Sequence, residues 1–213
     1  MANDPLIDAL VADLTPVRTR PMVPVVPALI ALLLLETAVA TAVGGLRPDL
    51  ASAITDPGFW WKFSTLALVC GLSLAALLAA MDPVRSPRPG MIRLARLGIF
   101  LLALGWLTDA LTPSSTSLIE RMAIADGLHC FSHCAVLALP PLIGLGLFLR
   151  RGAPTHPAAS GMAAGLAAAS WGGLCFMLSC DQDEPLFVAL WYGLAMLACA
   201  AAGRIVIGRL ARW

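Results

Sequence analysis

Apolar residues run along this chain in six blocks. Each is about 20 residues long, the length of helix that crosses a ~30 Å hydrocarbon core. The blocks fall at roughly 23–44, 60–81, 92–112, 127–149, 158–179 and 186–207. Between them the sequence turns to Pro, Gly and charge, at Gly44–Pro57, Asp82–Gly90, Thr112–Asp126, Arg150–Pro157 and Cys180–Pro185. The pattern predicts an all-α, polytopic membrane bundle of six transmembrane helices. Within the fourth block, Pro140-Pro141 removes two amide donors and predicts a kink or break midway. The fifth block places Gly161, Gly165, Ala169 and Gly173 on one stripe. Small residues so spaced let helix backbones approach closely. They suit packing within the bundle, with dimerisation as the rival reading. Ser117-x-x-Glu120 has the form of a capping box opening a short surface helix.

Ahead of the first block, Leu6, Ile7, Leu10, Val11 and Leu14 recur on one helical face, with Asp4, Asp8 and Asp13 toward the others. Pro16 ends the pattern. Such a helix is too short to persist alone in water and needs a partner. Its acidic polar face would be repelled by anionic lipid, so a groove on another protein fits better. The acidic start, with the first apolar block beginning only after Pro21, does not read as a cleavable signal peptide. The expected organisation is a tail over residues 1–20 and a membrane domain over 21–213.

Arginine placement sets the orientation. With the N-terminus in the cytoplasm, Arg18, Arg20, Arg85, Arg88, Arg93, Arg96, Arg150, Arg151, Arg204, Arg209 and Arg212 all face inward. Arg47, Lys62 and Arg121 face outward. Eleven against three obeys the positive-inside rule and puts both termini in the cytoplasm. Trp60, Trp61, Trp106, Trp171 and Trp191 then fall toward the outer ends of their spans, as an interfacial belt would.

Composition agrees. Charged residues make up 13% of the chain, against roughly 25% in soluble domains. A net charge of +1 gives no reason to expect nucleic acid as a direct partner. The chain holds no Gly-x-Ser-x-Gly, His-Glu-x-x-His or phosphate loop, so it reads as a non-enzyme. Its chemistry is concentrated in Gly127-Leu128-His129-Cys130-Phe131-Ser132-His133-Cys134, which opens the fourth span. Residues four apart stack on one helical side, so two imidazoles and two thiols form adjacent stripes at a membrane face. Glu36 and Asp109 are acids inside spans, where such groups are costly and usually functional. Their candidate partners are His129, His133 or a metal ion.

The stretch from Leu6 to Leu14, continuing Thr15-Pro16-Val17-Arg18, followed by six spans, resembles the NrsF family. So do Gly127-Leu128-His129-Cys130 and Cys180-Asp181-x-x-x-Pro185-x-Phe187-x-x-x-Trp191. The resemblance implies a six-span anti-sigma factor of the bacterial inner membrane, partnered with an extracytoplasmic-function (ECF) sigma factor. By it, the tail residues Leu6, Ile7, Leu10, Val11, Asp13 and Leu14 would hold the sigma factor. The outer cysteines, mapping to Cys130 and Cys180, would take part in signalling.

Two chemistries are open to that pair. An exposed or strained disulfide in an oxidising compartment is labile. Reduced, the thiols would ligate Zn²⁺ or another thiophilic metal, with His129, His133, Cys134, Asp181 and Asp183 as candidates to complete the shell. Two other functions compete. A membrane thiol–disulfide oxidoreductase would use the same cysteines, but there is no Cys-x-x-Cys and the tail would have no task. A metal transporter would use Glu36, Asp109 and the His-Cys run, but the inner halves of the spans continue no polar path.

Overall fold

The computed structural model describes residue 12 and residues 25–81, 88–111, 121–151, 154 and 156–210. Among these, every regular element is a helix. In chain order they are α1 (Val25–Gly44), the short α2 (Leu50–Ala53), α3 (Pro57–Ala80) and α4 (Arg88–Leu111). Then come α5 (Ile124–Leu137), α6 (Leu139–Arg151), α7 (Pro157–Phe176) and α8 (Pro185–Leu210). Val188–Tyr192 of α8 form a π-helical turn. The chain divides into two compact units, residues 1–31 and 32–213, and the packing described below lies in the second. The tail residues Leu6 to Leu14 named above, and the Ser117–Glu120 box, lie outside the described residues.

Five described helices are long and apolar enough to cross a membrane: Pro27–Gly44, Pro57–Ala80, Pro89–Thr108, Ile124–Arg150 and Pro185–Leu210. The block expected at 158–179 is also a helix, α7, but it is not one of the five. It is built largely of Ala, Gly and Ser and is buried along nearly its whole length. Its small side chains meet other helices.

The small-residue stripe makes that burial work. A Cβ on Gly161 would collide with the carbonyl oxygen of Gly203, and one on Gly165 with that of Cys199. The α7 and α8 backbones therefore touch directly. On another side of α7, a Cβ at Gly172 would lie 2.6 Å from the Cys134 carbonyl oxygen and 2.9 Å from the Ala138 nitrogen. Gly173 faces Leu66 of α3 and Tyr192 of α8.

The expected break in the fourth span falls at Ala138, between α5 and α6. Pro140 and Pro141 cannot donate to the turn before them. Ala138 N–H still donates to the Cys134 carbonyl and Leu142 N–H to the Ala138 carbonyl, so the chain continues across the gap.

The tryptophans depart from the belt reading. Trp60 and Trp106 are exposed, but Trp171 and Trp191 are buried. Trp171 Nε1 donates to Glu36 Oε2 (2.6 Å), and Trp191 Nε1 donates to the Met122 carbonyl (2.8 Å). Trp191 also fills the space a side chain at Gly127 would need. Position along a helix does not fix which way these rings face.

Candidate functional site

Cys130 projects from the second turn of α5, and Cys180 follows the turn that ends α7. Cys180 N–H donates to the Phe176 carbonyl, which fixes the start of the loop to α8. The two sulfurs lie 3.1 Å apart, both side chains are buried, and all six cysteines are free thiols. A disulfide needs about 2.05 Å, so closing the bond asks for a shift of roughly 1 Å. Cys134, one turn further along α5, is buried in the same cluster. Tyr192 packs in the same cluster, and its buried hydroxyl has no hydrogen-bond partner.

Around the Cys180 backbone sits a clamp of charges. Lys62, on α3, is fully buried. Its ammonium donates to the carbonyls of Cys180 (3.1 Å) and Gln182 (3.0 Å) and to Asp183 Oδ1 (3.2 Å), and lies 5.2 Å from the Tyr192 ring centroid. Arg47, just past the end of α1, reaches the same loop. It donates to Asp183 Oδ2 (2.5 Å), to the Cys180 carbonyl (3.2 Å) and to the Asp181 carbonyl (3.3 Å). Its remaining N–H groups form a fork on Asp49, both bonds 2.8 Å. Buried charge is tolerated only when paired and hydrogen-bonded. Here two cations meet two carboxylates, and backbone oxygens take up the spare donors. Arg47 is held above its ordinary range, chiefly by Asp49 and then by Asp183, against the cost of burial. The Cys130 thiol beside Cys180, and then the Lys62 ammonium, hold the Cys180 thiol below its usual range in spite of burial. Thiolate is the reactive form, and the Lys62 ammonium near Cys180 favours it there.

A cleft of about 520 Å³ is lined in part by Cys130 and Cys180. Val39, Ala40 and Val43 of α1 line one side, and His129, His133 and Phe176 the other. His129 and His133 stack on each other with ring centroids 4.0 Å apart, and His133 lies flat on Phe176 at 4.9 Å. His133 Nδ1 meets the His129 carbonyl at 2.9 Å.

The candidate metal shell does not converge. Among the described residues, no group of three or more His, Cys, Asp or Glu is placed to hold a metal ion. Asp183 is turned to Lys62 and Arg47. The imidazoles lie along the exposed rim of α5, and the exposed Asp181 meets Arg47 through its backbone carbonyl. Glu36 is buried, yet its partner is Trp171 and not a histidine or metal, and its Oε1 has no hydrogen bond. Asp109 lies on α4, with its side chain outside the described set. Cys175 receives a bond from Thr37 (3.5 Å), and Cys70 meets the Ala167 carbonyl (3.8 Å).

Sequence reading counted Lys62 and Arg47 only as charges on one side of a membrane. One signal was available for Lys62. It is the chain's single lysine and falls inside a predicted span, where an ionisable residue implies a partner or a role.

The fold is a multi-helix bundle with five helices long and apolar enough to cross a membrane, enclosing a close pair of thiols. The comparisons narrow this. The family described as NrsF, "Negative regulator of sigma F", matches residues 10–213, and the chain belongs to it. The anti-sigma-F factor NrsF of Caulobacter vibrioides (strain NA1000 / CB15N) is 35% identical over the full length of both chains. A probable anti-sigma-F factor NrsF of Azospira oryzae (strain ATCC BAA-33 / DSM 13638 / PS) is 30% identical, covering 79% of this chain and 78% of that one. No solved structure matches.

Proposed function

We propose that this chain is a multi-pass anti-sigma factor of the bacterial inner membrane. Its tail holds an ECF sigma factor, and oxidation of Cys130 and Cys180 releases it. The relatives' names support the regulatory role, and the arginine asymmetry supports cytoplasmic termini with the thiol pair outside. The observation that carries the reading is the 3.1 Å approach of two thiols from separate elements. Oxidation joins them by an S–S bond, and two protons and two electrons pass to a two-electron oxidant. With the azo compound diamide, the N=N bond is reduced to the hydrazine. A disulfide is favoured over four-coordinate zinc because Asp183 is already bound by two cations and the imidazoles point along the helix surface.

Two measurements test this. Removing residues 1–15 abolishes sigma-factor capture by the detergent-solubilised protein; undiminished capture would place the binding surface elsewhere. In cells under diamide, transcription from a sigma-dependent promoter rises with the parent chain. It fails to rise with Cys130→Ser, Cys180→Ser or both, because residues acting as a unit do not add. A full response in the double variant would remove the thiols from the mechanism.

A further inference from the structure

Arg47 has a property that its neighbours do not share. A guanidinium carries five N–H donors, and here each makes one bond: two to Asp49, and one each to Asp183, the Cys180 carbonyl and the Asp181 carbonyl. Its backbone N–H also donates to the Leu178 carbonyl (3.0 Å). No donor is spare, so the loop carrying Cys180 cannot shift without breaking a bond to Arg47 or pulling Arg47 with it. Arg47 lies three residues past the end of α1, the helix that follows the tail in the chain.

From Leu32 onward α1 is joined to its neighbours sparsely. Glu36 meets Trp171, Thr37 meets Cys175, and most of its large apolar side chains are exposed, Val43 by 85%. The cleft beside the thiols runs between α1 and α5, so the ground next to it is not filled. The other cation of the clamp sits differently. Lys62 projects from α3, whose Leu66 packs directly on α7 and Tyr192. The Cys180 carbonyl thus accepts one bond from a firmly packed helix and one from the end of a loosely joined one.

We infer that Arg47 is the coupling residue of this molecule: it reads the position of the Cys180 loop against the fixed Lys62 and passes it to α1. The inference rests on the thiol pair being the sensor. When the sulfurs close by roughly 1 Å to disulfide length, the Cys180 and Asp181 carbonyls move, and the Arg47 bonds to them are lost first. Lys62 keeps its bonds to the Gln182 carbonyl and to Asp183 and so holds the far side of the loop. The outer end of α1 is then free to tilt into the cleft. Asp49, which stays on the guanidinium, keeps Arg47 charged and paired throughout.

Amide hydrogen exchange of the full chain, bound to its sigma factor in lipid nanodiscs, tests this with and without diamide. Diamide takes two electrons and two protons from the thiols, and mass spectrometry after alkylation confirms the Cys130–Cys180 bond. In the parent protein, oxidation speeds exchange of the amides between Gly45 and Leu50 at least tenfold, while the amides of α7 stay unchanged. Arg47→Lys keeps the charge but brings three donors on one nitrogen, too few and too close together for both carboxylates and both carbonyls. In that variant the segment exchanges fast before oxidation, diamide adds less than twofold, and the thiols still join. An oxidised parent whose Gly45–Leu50 exchange is unchanged would overturn the inference, whatever the variant does. So would an Arg47→Lys protein that responds as the parent does. Oxidation that loosens this segment while the sigma factor stays bound would sink the proposed function and leave the Arg47 coupling standing.

Discussion

The seam between α7 and α8 and the flank along α1 are built from opposite materials. At the seam, Gly161 and Gly165 bring one backbone onto another, and there is no room even for a methyl group. Along α1, long aliphatic side chains point away from the bundle, and attachment comes from a few polar bonds. Close backbone contact gathers many small dispersion gains and tolerates no displacement. A handful of hydrogen bonds, at about 1 kcal/mol each, can be exchanged one at a time. The first arrangement suits a scaffold, the second an element that moves. The thiol pair sits where the two meet, since Cys180 leaves α7 and is gripped by Arg47 beyond α1.

The hardest way to break the comparison is to put bulk into the seam. Gly165→Leu drives its Cβ into the Cys199 carbonyl and the Ala200 Cα, which are backbone and cannot swing aside. Overpacking of cores costs about 1–3 kcal/mol and at times more. Here the expected result is loss of folded, monodisperse protein on size-exclusion chromatography in detergent. Val43→Leu on α1, also a gain in volume, meets open surroundings and stays within about 0.5 kcal/mol. Equal behaviour of the two variants would mean that the seam is not the scaffold.

Next in size is the clamp. Asp183→Ala leaves Lys62 with carbonyl partners alone and takes one bond from Arg47. Stranding a buried charge costs about 3–5 kcal/mol. A denaturant melt should show that loss for Asp183→Ala. It should also show a smaller loss for Asp183→Ala with Lys62→Met, because the second change removes the cation the first leaves unpaired. If the double variant loses the sum of the two single losses, Lys62 and Asp183 do not act as a pair.

These two regions were unequally legible in the sequence. The four-residue spacing of small residues announced close helix contact, and Pro140-Pro141 announced the break beside it, because both are properties of the backbone. Cys130 and Cys180 could be placed at one end of the bundle from the ends of their apolar blocks. Their partners could not. Counting charge by side treats Lys62 and Arg47 as orientation signals, and says nothing of a carboxylate 121 and 136 residues away in the chain. Trp171 and Trp191 were misjudged for a related reason: their place in a span was readable and their facing was not. The imidazoles show the opposite error. His129 and His133 do share one stripe, but that stripe runs along the rim of the cleft, Asp183 is held by Lys62 and Arg47, and among the described residues no three candidate ligands come together.

The smallest expected effect concerns the bond that holds α1 partway along. Glu36 Oε2 accepts from Trp171 Nε1, while Oε1 has no hydrogen bond. Glu36→Gln keeps an oxygen for the indole N–H and changes little in volume. Its new amide donors enter a place that offered no partner to Oε1, so the expected net change stays within about 1 kcal/mol. Glu36→Leu leaves the buried indole N–H unpaired and costs about 1–3 kcal/mol. Thermal unfolding in detergent, followed by Trp fluorescence, separates the two. The comparison with the seam sharpens if Glu36→Leu also quickens amide exchange in α1 and leaves α7 as it was, since a tie that holds only α1 should loosen only α1. Equal loosening of α7 would show that Glu36 and Trp171 belong to the scaffold, and that the border between fixed and movable parts lies further toward the end of α1, at Arg47.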